Sequence, residues 1–265
     1  MKNQNLKEYI HSINLPKPAS HKGQNGKLLV IGGSQLFHSS IFWSADLASR
    51  LVDMVHLTSP ENENNDLFRF KLKQGFWNGI VVDWSQVESY IEEDDVILIG
   101  PGMERSPDTE TIVNILIKRF GQKKWVIDGG ALQMIDPKLL NEQHIITPHQ
   151  KELDILVEKT GGMEQLIKTG STIVTKGLAD KVFGQDKQIE VEGGNPGLTK
   201  GGTGDVLAGL VAALYTSHPA LSSAVVASLV IKKAGEELWK TRGSYYNASD
   251  LVEQTPRTLW QLTSK

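Results

Sequence analysis

The sequence contains no cysteine among its 265 residues. This absence excludes a disulfide scaffold, a thiolate nucleophile and any zinc or iron–sulfur site with cysteine ligands, and it suits a reducing cytoplasm. The chain also lacks an excess of either charge sign, with 28 basic and 31 acidic residues. Its composition therefore provides no general attraction for nucleic acid. We expect a cytoplasmic protein that does not bind nucleic acid.

Long hydrophobic runs are absent as well. The longest apolar stretches, such as Val225–Ile231, fall far short of the roughly 20 residues that a membrane-spanning helix needs. The N-terminal segment MKNQNLKEYIHS has no apolar centre of the kind found in signal peptides. We expect a soluble chain that is neither exported nor held in a membrane.

Short β-type runs alternate with helical patterns along most of the chain. Five runs are brief, rich in β-branched residues and bounded by glycine, aspartate or proline: Lys27–Ile31, Asp95–Ile99, Lys124–Ile127, His144–Ile146 and Thr172–Thr175. Apolar residues recur at helical spacing in Ser39–Val52, Asp108–Phe120 and His149–Lys159. This alternation predicts an α/β fold in three layers, with a mostly parallel central sheet flanked by helices.

The later part of the chain shows two other patterns. Lys181–Val191 places a polar turn, Gly184–Lys187, between apolar ends, which predicts an antiparallel hairpin added to the sheet. From Thr203 to Leu262 the pattern is mostly helical, with breaks at His218–Pro219 and at Gly243.

The ends and the internal composition bear on domain organisation. Residues 1–20 are polar and end in a proline-containing stretch, which predicts a peripheral N-terminal arm. No internal segment resembles a linker, a repeat or a low-complexity tract. We therefore expect residues 1–265 to form a single domain.

The strongest chemical signal is the segment Gly193–Gly209, which reads GGNPGLTKGGTGDVLAG. Six glycines fall between Gly193 and Gly204, and an amphipathic helix then begins. Glycines allow the main chain to approach a ligand closely, and the first turn of a helix favours an anion. The segment is not a Walker A loop and does not follow a strand as a Rossmann fingerprint would. It predicts a phosphate site that does not belong to an ordinary NAD dehydrogenase.

Asp205 stands inside this predicted anion site. A carboxylate beside a phosphate is unfavourable unless it does chemistry, such as accepting a proton from a nearby hydroxyl. Aspartate is also a common helix cap, so a purely structural role for Asp205 stays open at this point.

Several other segments become specific in combination. They are HKGQNGKLLVIGGS at His21–Ser34, GPG at Gly100–Gly102, TPHQKE at Thr147–Glu152, KG at Lys176–Gly177 and NASDL at Asn247–Leu251. With the glycine-rich segment, and in this order, they resemble the NAD(P)HX dehydratase family of the ribokinase-like superfamily. The resemblance covers nearly the whole chain and implies a three-layer ribokinase-like fold. It also implies repair of NADH or NADPH whose nicotinamide ring has been hydrated.

The resemblance implies a kinase-type solution to a leaving-group problem, since hydroxide leaves poorly from the ring. ADP or ATP would phosphorylate the ring hydroxyl, phosphate would then leave, and Mg²⁺ would serve as cofactor. Asp205 is implied as the catalytic base, with the amides of Gly202, Thr203 and Gly204 holding the phosphoryl charge. The partners would be NADHX or NADPHX and ADP or ATP. We expect a homo-oligomer, such as the tetramer of bacterial relatives, and an epimerase that is a separate protein.

The resemblance also implies binding roles. The nucleotide would contact Lys176, Gly177, Leu178, Ala179, Asp180 and Gly204. The hydrated dinucleotide would contact Ser40, Gly102, Glu104, His149 and Asp205. Glu152 is expected near Mg²⁺, acting indirectly through water. Taken alone, Lys176 could be an exposed strand-end lysine, His149 a capping or packing residue, and Glu152 a solvated helix carboxylate.

Some positions depart from the family pattern. On the acceptor side, Ser39–Ser40 replaces Gly-Ala, Glu104 replaces a glycine of GPGLG, and Gly130 replaces the second aspartate of DADAL. Leu198–Lys200 replaces the residues MAT of the phosphate segment. A Glu104 that pointed inward would repel a pyrophosphate group.

These departures keep two alternatives open. The first is a ribokinase-like small-molecule kinase that acts on another alcohol, which the acceptor-side departures favour. The second is a non-catalytic nucleotide-binding protein, which the intact sequence GTGD around Asp205 opposes.

Overall fold

The computed structural model describes residues 4–75 and 78–264. In these residues the α-helices are α1 (Gln4–His11), α2 (Ser39–Ala48), α3 (Asn62–Gln74), α4 (Val87–Glu93), α5 (Pro107–Arg119), α6 (Gly129–Met134), α7 (Gln150–Thr160), α8 (Met163–Lys168), α9 (Thr203–Tyr215), α10 (Ala220–Arg242) and α11 (Ala248–Thr263). The strands are β1 (Lys27–Ile31), β2 (Met54–Thr58), β3 (Ile80–Val81), β4 (Val96–Ile99), β5 (Lys124–Ile127), β6 (His144–Ile146), β7 (Thr172–Thr175), β8 (Asp180–Phe183) and β9 (Gln188–Val191).

The strands form one mixed sheet in the order β3-β2-β1-β4-β5-β6-β7-β8-β9. Neighbours from β3 to β7 pair in parallel, whereas β8 pairs antiparallel with both β7 and β9. The predicted mostly parallel sheet is confirmed, and so is the predicted hairpin. The strand order reverses at β1. The chain adds β2 and β3 on one side of β1 and then adds β4 and the later strands on the other side. Open α/β sheets bind ligands at the carboxyl ends of the strands beside such a reversal.

Alternate residues of the central strands face two separate hydrophobic cores. In β4, Val96 and Leu98 belong to the core shared with helices α2, α9, α10 and α11. Ile97 and Ile99 belong to the core shared with helices α4 to α8. Burial on both faces explains why these strands are continuous apolar runs. The three-layer arrangement predicted from the alternation of strands and helices is confirmed.

The last third of the chain is helical, as predicted, and α9 lies at its centre. Residues Val206 to Tyr215 of α9 are all buried. Helix α2 approaches α9 closely at Gly209, where an added Cβ would lie 2.6 Å from the carbonyl oxygen of Ser44. Helix α10 is the longest, with 23 residues, but no helix in residues 4–75 and 78–264 is long and apolar enough to cross a membrane.

Some elements differ from the sequence prediction. The patterns do not predict β2, because it contains a polar residue, His56, whose Nδ1 lies 2.8 Å from Oδ2 of buried Asp94. They do not predict α3 either, because most of its residues are polar and only one apolar side chain, Phe68, is buried there. The helix predicted at Ser39–Val52 ends at Ala48.

The peripheral arm predicted at residues 1–20 contains a helix that the sequence patterns do not predict. Residues 4–11 form α1, and its side chains Leu6, Tyr9 and Ile10 pack against the core beside α10 and α11. The overall polarity of the segment hides this face, because its few apolar residues recur at the i, i+3, i+4 spacing of a helix. Residues 1–3 lie outside the described residues.

Substitution of Gly209 tests the close packing that positions the first turn of α9. We expect Gly209→Ala to lower the free energy of unfolding by about 1–3 kcal/mol, because the added methyl group meets main-chain atoms of Ser44. Denaturant unfolding measures this value. The matched control is Gly75→Ala, since an added Cβ at Gly75 has no atom of residues 4–75 and 78–264 within 4 Å. Equal losses in the two variants would contradict the prediction.

Candidate active site

The candidate site lies at the carboxyl ends of strands β1, β4, β5, β6 and β7. The loops that follow β1 and β4 touch each other, because the amide of Gly33 donates to the carbonyl oxygen of Pro101 at 2.8 Å. A Cβ at Gly32 would lie 2.3 Å from the same oxygen. Glycine at this position therefore allows the two loops to meet beside the reversal in strand order.

Asp205 lies in the first turn of α9. The N-cap of this helix is Gly202, with φ of 90°, so the alternative that Asp205 is the capping residue is wrong. The main-chain carbonyl oxygen of Asp205 accepts a hydrogen bond from Oγ of Ser44 at 2.8 Å. Loss of solvation and the nearby charge of Asp128 raise the pKa of Asp205 to about 7, although Lys176 and a hydrogen bond from Ser40 act in the opposite direction. A carboxyl group with this pKa can both accept and release a proton near neutral pH.

Asp128 and Lys176 form a charge pair beside Asp205. Nζ of Lys176 lies 2.9 Å from Oδ1 of Asp128, and Oγ1 of Thr147 donates to the same oxygen at 2.6 Å. Burial would lower the pKa of Lys176, but the carboxylates of Asp128, Glu152 and Asp205 raise it above its ordinary value. Lys176 is therefore charged. Its side chain is 22% exposed and paired with Asp128, so the alternative of an exposed strand-end lysine is wrong.

His149 and Glu152 cap the N-terminus of α7. The amide of Glu152 donates to Nδ1 of His149 at 3.2 Å, and the amide of His149 donates to Oε2 of Glu152 at 2.8 Å. The second carboxylate oxygen, Oε1, accepts from Nε2 of Gln133 at 2.9 Å. Glu152 is only 5% exposed, so the alternative that it is a solvated helix carboxylate is wrong. The alternative that His149 is a capping residue is confirmed.

A cavity of about 640 Å³ adjoins this cluster. The cavity is lined by five of the residues predicted to bind the nucleotide, Lys176, Gly177, Leu178, Asp180 and Gly204, and also by His149, which is predicted to bind the acceptor. Ala179, also predicted to bind the nucleotide, is half-buried and is not part of the lining. The side chain of Leu178 is 99% exposed, whereas Asp180 is turned inward and accepts from the amide of Gly177 at 3.0 Å.

The residues predicted to bind the acceptor do not all lie together. Ser40 interacts with Asp205, and a Cβ at Gly102 would lie 3.0 Å from Cβ of Ser40. Ser40 therefore adjoins Asp205, and Gly102 lies beside Ser40. Glu104 instead has an exposed side chain.

Gly130 explains one departure from the family pattern. An added Cβ there would lie 2.1 Å from the carbonyl oxygen of Met103. Any side chain at position 130 would therefore displace the main chain that carries Met103 and Glu104. The two departures are physically coupled.

A divalent cation would find few direct protein ligands here. No cluster of three or more histidine or acidic side chains suited to a metal occurs within 4–75 and 78–264. Both carboxylate oxygens of Glu152 already accept hydrogen bonds. The site therefore fits Mg²⁺ that is held mainly by phosphate oxygens and water, which is how this ion usually binds beside nucleotides.

Three residues of this site were not predicted from the sequence. Asp128 and Thr147 directly follow β5 and β6, so their position at strand ends is a signal that could have identified them. Lys232 lies inside α10 and lines the cavity, but nothing in its local sequence distinguishes it from a surface lysine.

Comparisons with known proteins agree with one another. A family model described as NAD(P)H-hydrate dehydratase matches residues 28–257. The chain is 33% identical over 247 residues to the bifunctional NAD(P)H-hydrate repair enzyme Nnr of Methanocaldococcus jannaschii, with 91% of this chain and 49% of that protein covered. It is 27% identical over 262 residues to the ADP-dependent (S)-NAD(P)H-hydrate dehydratase of Enterococcus faecalis, with 89% and 85% covered. The chain thus spans about half the length of the bifunctional relatives.

Solved structures share the fold. A ribokinase-like superfamily protein from Enterococcus faecalis has a TM-score of 0.85 at 24% identity, with 98% of this chain and 95% of that chain covered. An ADP/ATP-dependent NAD(P)H-hydrate dehydratase from Bacillus subtilis, co-crystallised with ATP/Mg²⁺, has a TM-score of 0.75 at 18% identity, with 97% of each chain covered. The ribokinase-like fold implied by the sequence resemblance is confirmed.

The raised pKa of Asp205 predicts a pH-dependent effect on stability. Because the folded-state pKa of about 7 lies above the ordinary value of 3.8, ionising Asp205 costs stability as the pH rises through this range. Asp205→Asn removes that cost. Its melting temperature relative to the wild type should therefore be higher at pH 8 than at pH 5, by about 2 °C or more.

Thermal unfolding at the two pH values checks this prediction. The control is Asp186→Asn, which changes an exposed aspartate in the hairpin turn. It should shift the melting temperature equally at both pH values. A difference for Asp205→Asn that does not grow with pH would contradict the raised pKa.

Proposed function

The chain belongs to the NAD(P)H-hydrate dehydratase family, and we propose that it restores hydrated NADH or NADPH to the reduced dinucleotide, using ADP or ATP as phosphoryl donor. The observation that carries this proposal is the Asp205 carboxyl group. Its pKa of about 7 suits a general base, and it lies in a helix turn whose amides favour a phosphate.

The proposed reaction begins with proton transfer. Asp205 takes the proton of the ring hydroxyl, and the hydroxyl oxygen attacks the terminal phosphorus of the nucleotide. The bond from that phosphorus to the bridging oxygen breaks, which releases AMP from ADP or ADP from ATP. The ring C–O bond then breaks, and phosphate leaves with the bonding electron pair. A proton is lost from the neighbouring ring carbon to water, the ring C=C bond re-forms, and the reduced nicotinamide results. Phosphorylation thus converts a poor leaving group into a good one.

Main-chain amides at the start of α9 would stabilise the transferred phosphoryl group. We assign this role to Gly202, Thr203 and Gly204. The amide of Thr203 also donates to the carbonyl oxygen of Lys200 at 3.3 Å, so it is less available than a free amide. Mg²⁺, when bound with the nucleotide, would neutralise phosphate charge, and Glu152 would act on it through water.

Lys176 and the segment that follows it would hold the nucleotide. Lys176 borders the cavity and is 22% exposed at its side chain, so its charge is accessible to a phosphate. The Enterococcus faecalis relative is ADP-dependent, and the Bacillus subtilis protein is named for both nucleotides. We therefore propose ADP or ATP without choosing between them.

The small-molecule kinase remains the second candidate function. It is favoured by the departures at Ser39–Ser40, Glu104 and Gly130. Exposure of Glu104 weakens this candidate, because water and salt screen the charge of an exposed carboxylate more than that of a buried one. The single domain over residues 1–265, the homo-oligomer and the cytoplasmic location stay predictions.

The activity itself is tested by adding hydrated NADH to the protein with Mg²⁺ and either ADP or ATP. Recovery of the absorbance of reduced nicotinamide is the expected result. Asp205→Asn should bind the nucleotide but lower turnover by about 10²–10⁴-fold, because it lacks a base. Asp186→Asn is the control and should retain turnover. Turnover like that of the wild type in Asp205→Asn would contradict the assigned role.

Substitution of Glu104 distinguishes the two candidate functions. We expect Glu104→Gly and Glu104→Gln to leave activity on hydrated NADH unchanged or raised, within about threefold, because an exposed charge contributes little. Glu104→Gln removes the charge and keeps the side-chain volume, so the two variants together separate the effect of charge from the effect of volume. If the wild type and both variants show no activity on hydrated NADH with either nucleotide, the small-molecule kinase becomes the better supported function.

A further inference from the structure

Lys232 is a buried lysine that the proposed chemistry does not use. It lies in α10 and is only 4% exposed. Its Nζ donates to the carbonyl oxygens of Gly177 at 3.0 Å, Leu178 at 3.2 Å and Gly193 at 3.3 Å. It also lies 3.2 Å from Oδ1 of Asp180. Four oxygens thus surround one ammonium group, which satisfies the requirement that a buried charge be paired and hydrogen-bonded.

These oxygens belong to two separate segments that both line the cavity. Gly177 and Leu178 lie between β7 and β8 and Asp180 begins β8, whereas Gly193 follows β9. The carbonyl groups and the carboxylate would repel one another without a cation between them. The ammonium of Lys232 therefore links two walls of the cavity through one point charge.

Glu236, one helical turn after Lys232, contacts the peptide unit that joins Gly193 to Gly194. Its Oε1 accepts a hydrogen bond from the amide of Gly194 at 3.2 Å, while Lys232 binds the carbonyl oxygen of Gly193. Gly193 has φ of 112°, a main-chain conformation that favours glycine, and a Cβ there would lie 2.5 Å from Oε1 of Glu236. Helix α10 thus fixes the peptide between Gly193 and Gly194 at both of its polar groups.

We propose that Lys232 is a positioning residue for nucleotide binding, whose ammonium group acts as an internal cation that joins the two cavity walls before the nucleotide arrives. The identity of the ligand rests on the proposed function. The link between the walls rests on the contacts of Lys232 alone. A residue that only stabilised the core would lower the melting temperature without changing nucleotide affinity well below that temperature.

The test compares Lys232→Ala with the wild type in two measurements. Hydrogen exchange of residues 177–180 and 193–195 is measured without nucleotide, and the dissociation constants of ADP and ATP with Mg²⁺ are measured by calorimetry. We expect exchange in both segments to be at least about tenfold faster and nucleotide binding to be about 10–100-fold weaker. The value of kcat at saturating nucleotide should change by less than about threefold, since Lys232 does not touch the reacting groups.

The matched control is Lys240→Met, which removes an exposed lysine of the same helix. It should leave exchange and binding as in the wild type. Lys232→Ala also leaves space for a small amine, so added methylammonium chloride should restore nucleotide binding to within about threefold of the wild type. Tetramethylammonium chloride at the same concentration has no N–H donor and should not.

Three results would overturn the proposal. They are unchanged exchange in Lys232→Ala, nucleotide binding like that of the wild type, and equal rescue by both ammonium salts, which would indicate ionic strength alone. If Lys232→Ala does not fold, Lys232→Met keeps the apolar stem and is measured in its place. If the wild type binds neither ADP nor ATP, the proposed function fails, and exchange of the two segments still decides whether Lys232 joins the walls.

Discussion

The candidate active site depends on one ammonium group that interacts with three carboxylates. Lys176 is paired directly with Asp128 and feels the charges of Glu152 and Asp205 at longer range. Burial raises the pKa of Asp205, and the charge of Asp128 raises it further. Lys176, whose close contact is with Asp128, offsets this only in part, so the pKa of Asp205 is about 7. A full ion pair with Lys176 would leave Asp205 too weak a base, whereas removal of Lys176 would favour its protonated form. The intermediate position gives a base that gains and loses its proton near neutral pH.

The main chain fixes this electrostatic arrangement, and glycines make it possible. A Cβ at Gly100 would lie 1.8 Å from the carbonyl oxygen of Asp128, so the loop after β4 packs directly on the residue that follows β5. Asp128 is also held by Thr147, which follows β6. Three adjacent strand ends therefore determine where the carboxylate of Asp128 lies. Close packing of this kind restricts side-chain movement, and it keeps the separation of the charges constant.

The features of the fold and site that the sequence predicts are those with a local signal. Those that it does not predict depend on pairing between distant residues. Apolar runs and the glycine-rich segment identified the central sheet and the first turn of α9, because periodicity and glycine clusters act over a few neighbouring residues. Lys176 and Asp128 are 48 residues apart, and Lys232 and Gly177 are 55 apart. Neither pairing has a local pattern. Strand β2 was missed for the same reason, since its His56 is acceptable inside the protein only beside Asp94.

Two of the acceptor-side departures, Gly130 and Glu104, are linked through the main chain of Met103. Replacement of an aspartate by Gly130 removes a side chain at the point where the carbonyl oxygen of Met103 approaches. The next residue, Glu104, then lies with its carboxylate exposed. Close packing against Met103 thus accounts for glycine at position 130. Exposure to solvent accounts for a carboxylate at position 104. The phosphoryl-transfer side, with Asp205 and Lys176, keeps its own contacts. A change in the shape of the acceptor pocket is therefore compatible with an unchanged type of reaction.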